Sequence, residues 1–148
     1  MHPTAARLQA RLVARGLHVD IRMLGDSART AREAAAALGC QVGQIVKSLV
    51  FLRDAQPVMV LCAGDRRVDA GRLGLAAASA EQTRRATGFS IGGIPPLGHD
   101  IDLETLIDAS LRRFPTVWCA AGTPHAVFEV PTETLIGALG RATTVTVD

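Results

Sequence analysis

The sequence predicts an α+β fold: a curved mixed or antiparallel sheet with helices beside it. Three observations carry this expectation. Runs with strand character outnumber helical periods. Most strands follow one another directly instead of alternating with helices. The helices that occur are marked by capping residues. The 148 residues contain no repeat, linker or low-complexity stretch, so residues 1–148 read as one domain. A chain of this length buries about 70% of its unfolded surface.

Thr4 is placed to cap a first helix running to Gly16, with Leu8, Leu12 and Val13 on its apolar side. Arg7, Arg11 and Arg15 recur every four residues and read as a solvated basic face, with phosphate contact as the functional alternative. His18 to Met23 has strand character. Thr30 and Glu33 form a capping box for a helix that Gly39 stops. After the turn Gln41-Val42-Gly43 come two strands, Gln44–Phe51 and Pro57–Cys62. They form an antiparallel hairpin with a loop of several residues around Asp54-Ala55-Gln56. Asp69 is placed to cap a short helix ending near Leu75, and Ser79 to Ala86 forms another.

The segment Gly88 to His99 holds two adjacent glycines and then two prolines. Its backbone is free at one end and fixed at the other, which suits either a structural bend or a close approach to a ligand. Strands are expected at Leu103–Ile107, Thr116–Ala120 and Ala126–Val130, the last two flanking a turn, residues 121–125, that contains His125. Thr132 is placed to cap a helix ended by Gly140, and Thr143 to Val147 is a final β-branched strand.

Composition narrows the function classes. A hydrophobic content of 48% and a charged content of 20% describe an ordinary globule. The net charge of +2 permits contact with a nucleic-acid end but not the tracking of a long duplex. The few aromatic residues do not interleave with a basic run, so no base-stacking platform is expected. The three cysteines lack a C-x-x-C pair, which argues against a disulfide framework or zinc site and suits a reducing, cytoplasmic setting. No apolar run is long enough to span a membrane.

One residue stands apart. Of the sixteen Lys and Arg residues fifteen are Arg, and the single lysine, Lys47, sits inside the apolar strand Gln44–Phe51. Alternation puts Ile45, Lys47, Leu49 and Phe51 on one face of that strand. An ammonium there must reach water, a counter-charge or a bound anion. It is either a lysine that extends its head past the sheet or a functional group.

Other chemistry is weaker. His2 and His18 have no ligand-like partners. His99, Asp100, Asp102 and Glu104 cluster, but their spacing matches no metal motif, and no metal or other cofactor is expected. Cys119 and His125 lie across a hairpin and permit a thiol-nucleophile reading, against which stands the apolar strand around Cys119. There is no G-x-S-x-G elbow.

Three separated motifs carry a resemblance. The first is Thr30-Ala31, Ala34, Ala37-Leu38-Gly39 and Gln44-Ile45-Val46-Lys47-Ser48-Leu49-Val50-Phe51. The second is Gly92-Gly93-Ile94-Pro95-Pro96-Leu97-Gly98, and the third is Trp118 with Ala121-Gly122-Thr123-Pro124. In order, over nearly the whole chain, they resemble the YbaK/ProX family, freestanding relatives of the editing domain of bacterial prolyl-tRNA synthetases. The resemblance implies a compact α+β fold around a barrel-like mixed sheet. It implies a trans-editing hydrolase that deacylates mischarged tRNA, typically proline tRNA carrying alanine, cysteine or 2-aminobutyrate.

By the same resemblance Lys47 matches the family's essential lysine, with Gly93 and Gly122 as further catalytic positions. Ser48, Gly92, Ile94, Pro95, Pro96, Thr123 and His125 are the expected substrate-binding residues; His125 falls near where some members use a histidine. The implied partners are the acceptor 3′ end of mischarged tRNA and prolyl-tRNA synthetase. Backbone N–H groups of the two glycine turns are expected to face the developing oxyanion, beside Lys47. The alternatives are a non-catalytic module that binds tRNA ends or a synthetase, and a cysteine hydrolase using Cys119 and His125.

Overall fold

The computed structural model describes residues 3–25 and 28–148. Among these the chain forms four α-helices, α1 (Pro3–Ala14), α2 (Ala31–Leu38), α3 (Ala80–Thr87) and α4 (Thr132–Ala138). The strands are β1 (Ile21–Met23), β2 (Val46–Arg53), β3 (Gln56–Ala63), β4 (Ala76–Ala77), β5 (Glu104–Asp108), β6 (Thr116–Ala120), β7 (Ala126–Pro131) and β8 (Ala142–Val145).

The strands make two sheets. One is antiparallel, in the order β1-β7-β6; the other is mixed, in the order β4-β2-β3-β5-β8. In the mixed sheet β2 pairs antiparallel with β3 and β4, whereas β3–β5 and β5–β8 are parallel. The expected α+β class with a mixed sheet is what forms. The sheets do not close into a barrel: among the described residues a single parallel bridge, Ile45 to Trp118, links them.

The centre of the five-stranded sheet, β3 and β5, is buried on both faces, while the edge strands β4 and β8 are largely exposed. Val46, Val50, Met59, Leu61 and Ile107 face the larger core, shared with Leu8 and Leu12 of α1 and Phe128 of β7. Val58, Val60, Cys62 and Leu106 face a smaller core covered by Leu75 and Val147, with Leu49 and Phe51 packed on it. The two-residue period therefore puts Lys47 on the smaller core's face, opposite Cys62 in register.

Local chemistry explains several boundaries. Thr30 and Ser79 each close a full capping box, and Gly39 and Gly88 end the helices at φ 71° and 81°. Other expectations need correction. Thr4 lies inside α1, which begins at Pro3. The β2–β3 loop has two residues, since Asp54 and Ala55 both adopt positive φ and turn the chain at once. Asp69 caps no helix: its carboxylate accepts from Arg72 N–H within a run of turns. Thr132 is the first residue of α4 and donates its hydroxyl to Phe114 O at 2.6 Å, while the helix ends at Ala138 and not at Gly140.

Candidate functional site

Between β4 and the Ile45–Trp118 bridge, one edge of β2 has no strand partner among the described residues: β4 reaches only Phe51 and Leu52. A cavity of about 360 Å³ lies along this open edge, within the size range of small-molecule sites. β2 lines it from Val46 to Phe51, and Trp118, Cys119 and Ala120 of β6 face it from the other sheet. Ala31 and Ala34 of α2, Thr83 of α3, and Ile91, Gly92 and Ile94 of the glycine–proline loop complete most of the wall. The lining is mainly apolar. Its polar elements are the side chains of Lys47, Ser48, Thr30, Arg29 and Thr83 and the main-chain groups of the strand edge.

Lys47 is half-buried in this wall, and its Nζ donates to Arg66 O at 2.6 Å. That bond uses one of three ammonium protons and fixes the head group at the end of β3. Ser48, on the other face of the strand, has a buried hydroxyl with no hydrogen-bond partner among the described residues.

The two glycine bends meet. Gly122 N–H donates to Gly93 O at 2.9 Å, and Gly93 N–H donates to Ser90 O at 3.1 Å. A Cβ on Gly93 would lie 2.8 Å from Thr123 Cα, and Gly122 sits at φ 96° with Thr4 Cγ2 3.0 Å from its missing Cβ. The expectation that Gly93 and Gly122 present N–H groups to an oxyanion is therefore corrected. Both N–H groups are already donated; Gly93 is glycine because a Cβ would strike the backbone of the Gly122–Thr123 bend, and Gly122 because its φ is positive and a Cβ would crowd the Thr4 and Phe89 side chains. The Gly92 N–H has no partner among the described residues, and Gly92 lines the cavity.

The remaining expected residues divide. Lys47, Ser48, Gly92 and Ile94 line the cavity; Pro95, Pro96, Thr123 and His125 do not. Pro95 and Pro96 are buried beneath the loop, where Pro95 O pairs with His99 Nε2 at 2.6 Å. They hold the loop from behind, and a binding role for their side chains is not what the geometry offers. His125 O accepts from Leu24 N at 2.6 Å, tying β1 to the turn, and its Nδ1 is buried without a partner among the described residues. Thr83 and Ala120 line the cavity without any motif of their own, and Ile91 and Pro124 line it from within the glycine–proline segment and the third motif, where no role was expected of them.

The thiols are suppressed. Burial pushes the Cys119 thiol far above its ordinary range, and burial pushes Cys62 up to about 11 despite the nearby Lys47 charge. A thiolate nucleophile at neutral pH is therefore disfavoured. The His99–Glu104 cluster disperses: Asp100 pairs with Arg11 at 2.9 Å and Glu104 with Arg53 at 2.6 Å. Among the described residues no three His, Cys, Asp or Glu side chains converge as metal ligands would, and His2 lies outside them.

A family model described as the aminoacyl-tRNA editing domain matches residues 26–138. The uncharacterized protein YwhH of Bacillus subtilis (strain 168) is 32% identical over 118 residues, which are 75% of each chain. The proline–tRNA ligase of Limosilactobacillus fermentum is 38% identical over 97 residues, 57% of this chain and 17% of the ligase. A crystal structure provisionally named a trans-editing enzyme for prolyl tRNA synthetase has a TM-score of 0.94 at 41% identity. That match covers 100% of this chain and 98% of the other.

Proposed function

This chain belongs to the aminoacyl-tRNA editing domain family, and from that premise we propose that it hydrolyses the ester of mischarged tRNA. The substrate we assign is proline tRNA carrying a small non-cognate amino acid: alanine, cysteine or 2-aminobutyrate. One observation carries the reading: the sole lysine, held by Arg66 O, stands in the wall of an apolar cavity bounded by the glycine–proline loop.

An aminoacyl ester is already reactive, so positioning and charge stabilisation supply most of what is needed. In the proposed mechanism the amino acid enters the cavity between β2 and β6. The Lys47 ammonium faces the ester carbonyl or the adjoining phosphate, and the Gly92 N–H is a second donor toward the developing negative charge. Water adds to the carbonyl carbon, the bond to the ribose oxygen breaks, and that oxygen leaves with a proton. One such donor is typically worth about 10²–10³ in rate. A single methylene shifts binding by about 1–3 kcal/mol, so a size-limited second pocket adds discrimination that a synthetase lacks.

The test is to incubate the protein with proline tRNA charged with alanine, cysteine, 2-aminobutyrate or proline and follow ester loss. Loss of one or more of the small amino acids, with prolyl-tRNA spared, is the expected result. Tight binding to tRNA with no hydrolysis of any ester means a non-catalytic module and overturns the reading.

A further inference from the structure

Lys47 belongs to two compartments. Besides the apolar cavity it lines a more open groove of about 610 Å³, and Thr30 and Ala31 are likewise common to both. These three residues form a seam between the two spaces. Across the seam the chemistry changes: the groove is walled by Arg32 at the start of α2 and by Asp65, Arg66 and Arg67 in the turn after β3.

The charges in the groove are unevenly spent. Asp65 is held by Arg113 through two hydrogen bonds of 2.9 and 2.8 Å, and that guanidinium keeps its carboxyl below the usual range. Arg66 pairs with Asp148 at 3.3 Å. Arg32 and Arg67 are exposed and have no ion-pair partner among the described residues. Two uncommitted guanidinium groups thus share one groove with the ammonium of Lys47.

We propose that this groove binds the phosphodiester backbone leading to the acylated 3′ terminus, with Arg32 and Arg67 as its phosphate contacts. The inference rests on the deacylase reading and deepens it. The substrate has two unlike halves joined at one ribose: a small, mostly apolar acyl group and a polyanionic strand. The protein has an apolar cavity and a cationic groove joined at one lysine. Seating the acyl group along β2 puts the neighbouring phosphates on the cationic side of the seam. Guanidinium forks suit phosphate oxygens better than ammonium groups do.

The experiment compares wild type with R32A/R67A, and with R84A/R85A as a control that removes equal charge from α3. Each is assayed on mischarged proline tRNA and on the same amino acid esterified to adenosine, which has no phosphate. For R32A/R67A we expect KM for the tRNA to rise about tenfold or more with little change in kcat. Its salt dependence should weaken by a log–log slope of about 1.4, two single-strand phosphate contacts' worth. The penalty should be confined to the phosphate-bearing substrate, and the control variant should show none. Equal KM and equal salt slope in wild type and R32A/R67A overturn the proposal.

A second arm does not depend on turnover. A fluorescent RNA hairpin ending in single-stranded CCA is titrated with each protein. If wild type hydrolyses no ester yet binds this RNA, and R32A/R67A binds it much more weakly, the deacylase reading fails and the groove assignment stands. Equal binding by the two proteins removes the groove assignment whatever the hydrolysis results.

Discussion

The ammonium of Lys47 donates to the backbone carbonyl of Arg66 at 2.6 Å, across from Cys62 on the neighbouring strand. A main-chain oxygen fixes where the charge sits but does not neutralise it. Lys47→Ala should therefore reduce kcat/KM for mischarged tRNA by about 10²–10³. Lys47→Arg should not restore it, since a planar guanidinium differs from a point charge in reach and geometry. Single-turnover hydrolysis, with circular dichroism to verify folding, measures both.

Gly93→Ala tests how closely the bends pack. Its new Cβ meets Thr123 Cα at 2.8 Å and Gly122 O at 2.9 Å, both backbone atoms that yield only if the bend moves. We expect a loss of about 1–3 kcal/mol in stability by thermal or urea denaturation. Gly122→Ala adds a side chain at φ 96° and should cost about 1–2 kcal/mol by the same measurement.

Ser48 offers a hydroxyl with no hydrogen-bond partner among the described residues. Ser48→Ala should leave the melting temperature unchanged or raise it, because no internal hydrogen bond is lost. If the hydroxyl receives a bond from bound substrate, KM rises by about fivefold, the equivalent of roughly 1 kcal/mol. A variant unchanged in both KM and amino-acid preference would remove Ser48 from the binding role.

His99 sets an acid limit on stability. Burial lowers its pKa below the ordinary 6.5, while its bond to Pro95 O works the other way. The folded pKa is depressed, so the unfolded chain takes up the proton first as pH falls. The contribution is present above pH 6.5 and is lost as pH falls toward the lower, folded value. Urea midpoints measured from pH 7.5 down to 5 should decline, and less steeply in His99→Gln.

Much of the architecture was legible because its causes are local. The capping box at Thr30 and the glycine at 39 mark helix ends within four residues of sequence, and the helix expected from Ser79 forms as α3. The apolar run around Lys47 announced a strand, which forms as β2. What escaped depends on contacts between distant residues. The parallel pairing of β3 with β5 and of β5 with β8 has no signature in either partner alone. The acceptor for Lys47 is a backbone carbonyl, which carries no side-chain signal. The N–H groups of Gly93 and Gly122 looked available for catalysis, yet each is consumed by a bond visible only in three dimensions. Arg32 and Arg67 looked like any other surface arginines until the fold set them on one groove with Lys47.

The gap in pairing along β2 has a further consequence. Unmatched strand edges on a protein's outside invite stray chains to add on. This one borders the cavity, opposite β6 of the other sheet, so its main-chain groups face bound ligand instead of a neighbouring strand. β3 anchors β2 on its other side, and the opposite wall of the chamber comes from a different sheet. Evolution can therefore resize the chamber through β6 or the loop while the pairing that holds the lysine in place goes untouched.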